Sequence, residues 1–131
     1  MSATNIELVT YALLKCNVID ENSSPSPEQG ATGLNVLNDM MANMSADGVK
    51  LGWYPQTSLT VTSPLQSQDV GPVKYLLTAA LAAHYGITLG ELLIAEIAAA
   101  ATRLAKRALR YSEADLSELP RPQGTFGSGW F

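Results

Sequence analysis

The sequence contains three predicted helix starts, which restrict the chain to a mainly helical fold. At each start, a hydroxyl residue is followed three positions later by an acid or an amide, which is the pattern of a capping box. The boxes begin at Thr4, Ser26 and Thr88. Behind each box, apolar residues recur at intervals of three and four, as they do on the buried face of a helix. We therefore predict an all-α protein.

The pattern predicts four helices, at about residues 5–16, 27–46, 72–85 and 89–110. Asn17, Gly48 and Gly86 are their expected ends, because Asn and Gly adopt left-handed backbone conformations most readily. A short Ser/Pro linker joins the first two helices, which favours an antiparallel hairpin. We expect a four-helix bundle-like domain over residues 1–119 and an extended segment over residues 120–131.

Residues 49–70 interrupt the helical pattern with glycines and prolines. Their alternating segment at 59–62 predicts a loop that holds at most a short hairpin. Trp53 and Tyr54 stand near the start of this insert. They are either a lid over the core between helices or a contact surface for a partner protein.

The fourth predicted helix is rich in alanine, with seven alanines among residues 95–108. Leu93, Ile97, Leu104 and Ala108 form its expected core stripe, so the remaining alanines form a second, shallow face. Alanine favours helix and lets a neighbouring backbone approach closely. We therefore expect this helix to be covered on two sides.

Charge is sparse and slightly acidic. The 131 residues carry 12 acids and 8 bases, and 15% of them are charged, against about 25% in typical soluble domains. This favours a surface that partners partly cover. An acidic chain is also poorly suited to tight nucleic-acid binding, which depends on Lys and Arg neutralising phosphates.

Four bases gather near the end of the fourth helix: Arg103, Lys106, Arg107 and Arg110. They have two interpretations. Cations complement the dipole at a helix C-terminus, and their stems cover apolar surface. Alternatively, they face an acidic partner or the phosphate backbone of DNA.

We predict no catalytic residue, metal ligand or cofactor site. The single Cys16 has no partner for a disulfide or a zinc site and is expected to be a buried thiol. His84 has no triad partner and is expected in the core or at an interface. No glycine pattern suited to phosphate binding occurs. The closest candidates for a glycosidase acid pair are Asp20 with Glu21, Glu91 with Glu96, and Glu113 with Asp115.

The chain has no apolar run of the roughly 18 residues that a membrane span needs, and no signal peptide. We expect a soluble protein made in a reducing compartment.

Of the three clustered methionines, Met41 and Met44 fall on the core stripe of the second helix, and Met40 is left to face a neighbour.

The last residues combine chain breakers with aromatic side chains. The segment holds Pro120, Arg121, Pro122, Phe126, Trp130 and Phe131. Disordered tails are poor in aromatic residues. We interpret this segment as a strand that docks in a groove or at a sheet edge of another protein, with a frayed end or a cloning remnant as the alternative.

Five stretches together resemble the head-to-tail adaptor family of tailed phages, whose members are also called tail accessory factors or packaged-DNA stabilisation proteins. They are LNVLNDMM at 34–41, SADG at 45–48, LGWYP at 51–55, VKYLLTAALAAHYG at 73–86 and LAKRALR at 104–110. Each is a common helix or turn pattern, and the resemblance lies in their order and spacing over about residues 4–110.

The resemblance implies a non-enzymatic virion protein, assembled in the host cytoplasm and placed at the head–tail junction. It implies a ring, twelvefold, that binds the portal protein, extends the DNA channel and carries the next tail or nozzle protein. Double-stranded DNA would pass without specific binding. The aromatic segment would reach along the portal, and Trp53 and Tyr54 would contact the tail component. The insert is shorter than in many relatives.

Two other functions remain open from the residues alone. The first is a small helical regulator that binds DNA through Arg103, Lys106, Arg107 and Arg110. The second is a cell-wall hydrolase that uses a pair of carboxylates.

Overall fold

The computed structural model describes the backbone of residues 3–117 and the side chains of residues 3–107 and 109. This region contains four helices: α1 Asn5–Lys15, α2 Pro27–Ala46, α3 Ser67–Tyr85 and α4 Glu91–Ser117. It contains no β-strand, only an isolated bridge between Thr4 and Thr62. The all-α, bundle-like prediction with an irregular insert is confirmed. The predicted extended segment, residues 120–131, lies outside the described residues.

The first two predicted capping boxes form as the sequence indicates. The side chains of Thr4 and Ser26 each accept from the backbone amide three residues later, and Glu7 and Gln29 each bond back to the cap amide. After the C-cap of each helix, the chain turns at the predicted left-handed residue, which is Asn17 after α1 and Gly48 after α2. The amides of the two residues that follow each cap bond back into the last turn, as in a Schellman motif.

The third helix ends at Tyr85 as predicted, with Gly86 in the left-handed conformation, but its start and both ends of the fourth helix differ from the prediction. Helix α3 begins at Ser67 and includes Pro72, where we expected a restart at residue 72. Gly71 has no Cβ to collide with the proline ring, so the usual restriction before proline is relaxed. Helix α4 begins at Glu91, and the carbonyl of Gly90 accepts from Ile94 at 3.0 Å, so Gly90 rather than Thr88 precedes the helix.

Helix α4 also runs past its predicted end at residue 110 and continues to Ser117. Residues 111–117 contain neither Gly nor Pro, so nothing in them stops a helix. The predicted end of the fourth helix at about residue 110 is therefore wrong.

The insert pairs with the start of α1 and forms no hairpin of its own. The amides of Asn5 and Ile6 donate to the carbonyls of Val61 and Leu59 at 3.0 and 2.8 Å, and the Ser63 amide donates to Ala3 at 2.9 Å. The first amides of a helix have no partner within that helix. The insert supplies these partners and so fixes where α1 begins.

The core lies among α1, α2 and α3, which contact one another. It is built from aliphatic side chains that include Leu8, Leu13, Leu37, Met41, Leu77 and Leu81. Gly33 lies where α2 crosses α1, and a methyl group there would overlap the side chain of Val9. Within residues 3–117, α4 contacts α3 and no other helix. No helix in this part of the chain is long and apolar enough to cross a membrane.

Candidate functional site

A buried polar network attaches the insert to the helices. Asn38 on α2 donates to the Gln56 carbonyl at 2.8 Å and accepts from the Gln56 amide at 2.9 Å. Asn5 on α1 donates to the Gln56 side chain at 3.0 Å and to the Ser58 carbonyl at 2.8 Å. Asn5 is fully buried, and these bonds satisfy its amide nitrogen, whereas its Oδ1 atom has no hydrogen-bond partner among the described residues.

The structure separates the two aromatic residues of the insert. Trp53 is half-buried against the core, and its indole nitrogen donates to Asn38 at 3.2 Å. Tyr54 is 60% exposed. Trp53 therefore packs against the core, as the lid interpretation expects, whereas the ring of Tyr54 is open to solvent.

The basic cluster near the end of α4 is also divided. The guanidinium of Arg107 pairs with the carboxylate of Asp69 on α3, whose side chain is only 2% exposed. Arg103 and Lys106 are exposed. Their side chains have no ion-pair partner among the described residues. The side chain of Arg110 lies outside the described set. Arg107 thus joins two helices, and among the described side chains of the cluster Arg103 and Lys106 are open to solvent.

The face of α4 that points away from α3 is exposed and mostly apolar. Leu93 and Ile97 are half-buried and Leu104 is buried, in line with the predicted core stripe, while the side chain of Ala108 lies outside the described set. Ala100, which the stripe did not include, is fully buried. The second predicted face, with Ala98 and Ala105, is open to solvent. Larger apolar residues are exposed on α4 as well: Leu92 is 86%, Ile94 53% and Leu109 61% exposed. Such an uncovered apolar surface is typical of an interaction site.

A groove of about 540 Å³ lies between α2 and α3. Met40 and Met44 line it, together with Ala80, and two aspartates, Asp39 and Asp47, border it. Met44 was expected in the core, but it is half-buried and shares the groove with Met40, while Met41 is buried as predicted. The periodicity of α2 could not separate them, because Met44 lies at the edge of the buried stripe.

His84 also lines this groove. It is exposed, so the core interpretation is wrong. Its ring packs edge-on against Tyr85, with the ring centres 5.1 Å apart. It lies in the last turn of α3, where its cationic form would complement the helix dipole.

Tyr11 and Tyr75 form an aromatic contact between α1 and α3, with ring centres 6.1 Å apart. The ammonium groups of Lys74 and Lys15 lie 5.0 and 5.5 Å from the centre of the Tyr11 ring. The pKa of Tyr75 is raised well above its ordinary value, first by its hydrogen bond to Glu96 of α4 and then by Tyr11. The hydrogen bond between Tyr75 and Glu96 is a second polar link between α3 and α4, besides the ion pair of Arg107 and Asp69.

The carboxylates proposed as an acid pair are not brought together on α4. Glu91 and Glu96 are five residues apart, which places them about 140° apart around the helix. Glu96 also bonds to Tyr75. Asp20 and Glu21 are exposed beside the end of α1, and the side chains of Glu113 and Asp115 lie outside the described set. Among the described side chains, no group of acids, His and Cys could hold a metal ion.

Cys16 is buried as predicted, and its thiol contacts the Thr78 carbonyl at 3.3 Å. Burial raises the pKa of the thiol, which keeps it in its neutral form.

Comparison with known proteins assigns no function to these surfaces. No model of a known protein family matches the chain, and no curated protein matches it significantly.

Proposed function

We propose that the chain is a structural head-to-tail adaptor of a tailed phage, which forms a ring at the head–tail junction and binds the portal protein. The observation that supports this most directly is the exposed apolar face of α4. Ile94, Ala98, Ala105 and Leu109 are all exposed on a helix that contacts only α3 in the described region. A protein built to assemble leaves such a face for its neighbours.

The order of the elements supports the same proposal. A helical hairpin, α1 and α2, is followed by an irregular insert with Trp53 and then by α3 and α4. This is the order on which the resemblance to the adaptor family depends. In the proposed ring, the segment from Pro120 to Phe131 reaches the portal, and Tyr54 contacts the next tail protein.

The acidic balance of the chain suits a conduit for DNA. Packaged DNA must leave through the channel, and strong phosphate binding would slow it. With Arg107 paired to Asp69, the described bases of the cluster that are open to a phosphate are Arg103 and Lys106. Two phosphate contacts would give a salt dependence of only about −1.8 in log–log terms.

The proposal is tested by light scattering of the full chain, alone and with the portal protein encoded in the same genome. We expect a complex of defined mass with the portal. Deletion of residues 120–131 is expected to abolish portal binding and to leave the helical circular dichroism signal unchanged. A chain that stays separate from the portal at all concentrations would contradict the proposal. Intact binding after truncation would contradict the role of the tail alone.

A DNA-binding regulator is the second candidate, and the exposure of Arg103 and Lys106 is the observation that favours it. A gel shift at moderate salt tests it. Retardation that is lost in Arg103→Gln/Lys106→Gln but kept in Lys50→Gln would favour the regulator over the adaptor. Lys50 is an exposed base in the insert and serves as the matched control.

A further inference from the structure

Residues 56–63 of the insert lie across the start of α1, and we call this segment the strap. The first two amides of α1 donate to strap carbonyls, while the amide and the hydroxyl of Ser63 both donate to the carbonyl of Ala3. The side-chain amides of Asn5 and Asn38 make four further hydrogen bonds to the strap. A row of polar contacts thus attaches the strap to α1 and α2.

The apolar attachment of the strap is small. Leu59 is half-buried against the core, and its tip lies over Gly30 of α2, where an added methyl group would come within 2.8 Å of it. Val61, the other aliphatic residue of the strap, is 49% exposed. The helical core instead buries whole side chains, such as Leu37 and Leu77. Since apolar burial dominates folding and a hydrogen bond only replaces one to water, the closed strap is stabilised less than the core.

The closed strap also leaves a buried acceptor unsatisfied. The amide nitrogen of Asn5 donates to Gln56 and Ser58 of the strap, but its Oδ1 atom has no partner among the described residues. Rotating the amide would place this oxygen against the Ser58 carbonyl, which is itself an acceptor. A buried acceptor without a partner costs free energy that is recovered when water reaches it. Opening of the strap provides that water, so this atom favours the open state.

We propose that the strap opens as one unit while the four helices stay folded, and that opening uncovers the start of α1. Segments with few buried apolar contacts are the ones that open locally. In the open state the amides of Asn5 and Ile6 lose their strap partners and become available to other acceptors. The capping box keeps the next amide bonded, because Thr4 and Glu7 satisfy each other without the strap. This inference does not depend on the proposed function.

Hydrogen exchange of the full chain, followed by NMR at increasing urea below the unfolding transition, tests the proposal. The strap-bonded amides are those of Ile6 and Ser63, and the core amides are those of Leu37 and Leu77. We expect protection factors about a hundredfold lower for the strap-bonded amides. Their exchange should also depend little on urea, because local opening exposes little surface. Equal protection and equal urea dependence in the two groups would overturn the proposal, as would strap-bonded amides without any protection.

Leu59→Ala removes the apolar contact of the strap and leaves its hydrogen bonds in place. Protection of the strap-bonded amides should fall by about tenfold, while the core amides keep theirs. Val61→Ala is the matched control, because it shortens an exposed aliphatic residue of the same segment and should change neither group. A fall of the same size in the core amides would overturn the proposal, and so would an unchanged exchange in Leu59→Ala.

Asn38→Ala tests whether the strap opens as one unit. Asn38 bonds to the strap at Gln56, so a cooperative strap should lose protection at its other end as well. We expect the Ser63 amide to exchange about tenfold faster or more. Asn35→Ala, an exposed substitution on the same helix, should leave that amide unchanged. Faster exchange confined to the Gln56 end would overturn the single unit.

Discussion

The guanidinium of Arg107 on α4 pairs with the buried carboxylate of Asp69 on α3. Asp69 lies in the first turn of α3, where a negative charge also favours the helix dipole. Helix α4 contacts no other helix within the described residues, so this ion pair, the hydrogen bond of Glu96 to Tyr75 and the packing of Ala100 and Leu104 hold it on α3. The position of the exposed apolar face of α4 depends on this junction.

Asp69→Asn should destabilise the protein, because it leaves the Arg107 cation in a half-buried site without its partner. The free energy of unfolding is expected to fall by about 2 kcal/mol, less than for a fully buried pair since Arg107 is partly solvated. Urea unfolding measures the change. Asp20→Asn is the matched control at an exposed site and should have little effect. Equal losses for the two variants would show that the pair does not hold α4.

Gly33→Ala should destabilise the crossing of α1 and α2. The added methyl group overlaps Val9, whose side chain is itself fully buried, so the two helices must separate or Val9 must shift. We expect a loss of about 1–3 kcal/mol in urea unfolding. Asn35→Ala, also on α2 but exposed, should stabilise by up to about 0.5 kcal/mol through helix propensity. A neutral Gly33→Ala would mean that the helices are farther apart.

Asn38→Ala should release the insert from α2, because the variant loses two bonds to the Gln56 backbone and one to Trp53. The expected loss is about 2 kcal/mol, since buried backbone groups of Gln56 are left unpaired. In a Trp130→Phe background, the fluorescence of Trp53 reports its surroundings and should shift to longer wavelength. Asn35→Ala should leave the emission unchanged. An unshifted emission for Asn38→Ala would show that Trp53 is held by packing alone.

Glu7 should make the first capping box sensitive to pH. Its hydrogen bonds with the Thr4 backbone and then the Thr4 side chain lower its pKa below the usual value of 4.5. A carboxylate with a lowered pKa stabilises the fold fully above its unfolded pKa, and this contribution is lost as pH falls through the folded pKa. As the pH falls below about 4.5, the free energy of unfolding of the natural chain should therefore decrease relative to that of Glu7→Gln.

The second capping box provides an internal control for that experiment. It uses Gln29, which does not titrate, so Ser26→Ala should cost the same free energy at neutral and acidic pH. A carbon-detected NMR titration measures the pKa of Glu7 directly. A value at or above 4.5 would contradict the prediction.

Local chemistry settled where most of the described helices begin and end. A hydroxyl at the start and an Asn or Gly at the end satisfy backbone groups within a few residues, so Thr4, Ser26, Asn17 and Gly48 could be assigned before any packing was known. The apolar spacing of the Ala-rich helix also placed Leu93, Ile97 and Leu104 on its buried side, because a helix exposes a regular face.

Only the tertiary structure decided which distant groups meet. The pairing of the insert with the start of α1, the burial of Asn5 and the use of Arg107 as a partner for Asp69 join residues 38 or more positions apart. No periodicity encodes such contacts. Thr88 failed as a helix start for the same reason. The loop before α4 packs Ile87 and Leu89 against the core, and this packing, rather than the local capping pattern, sets the first turn of the helix.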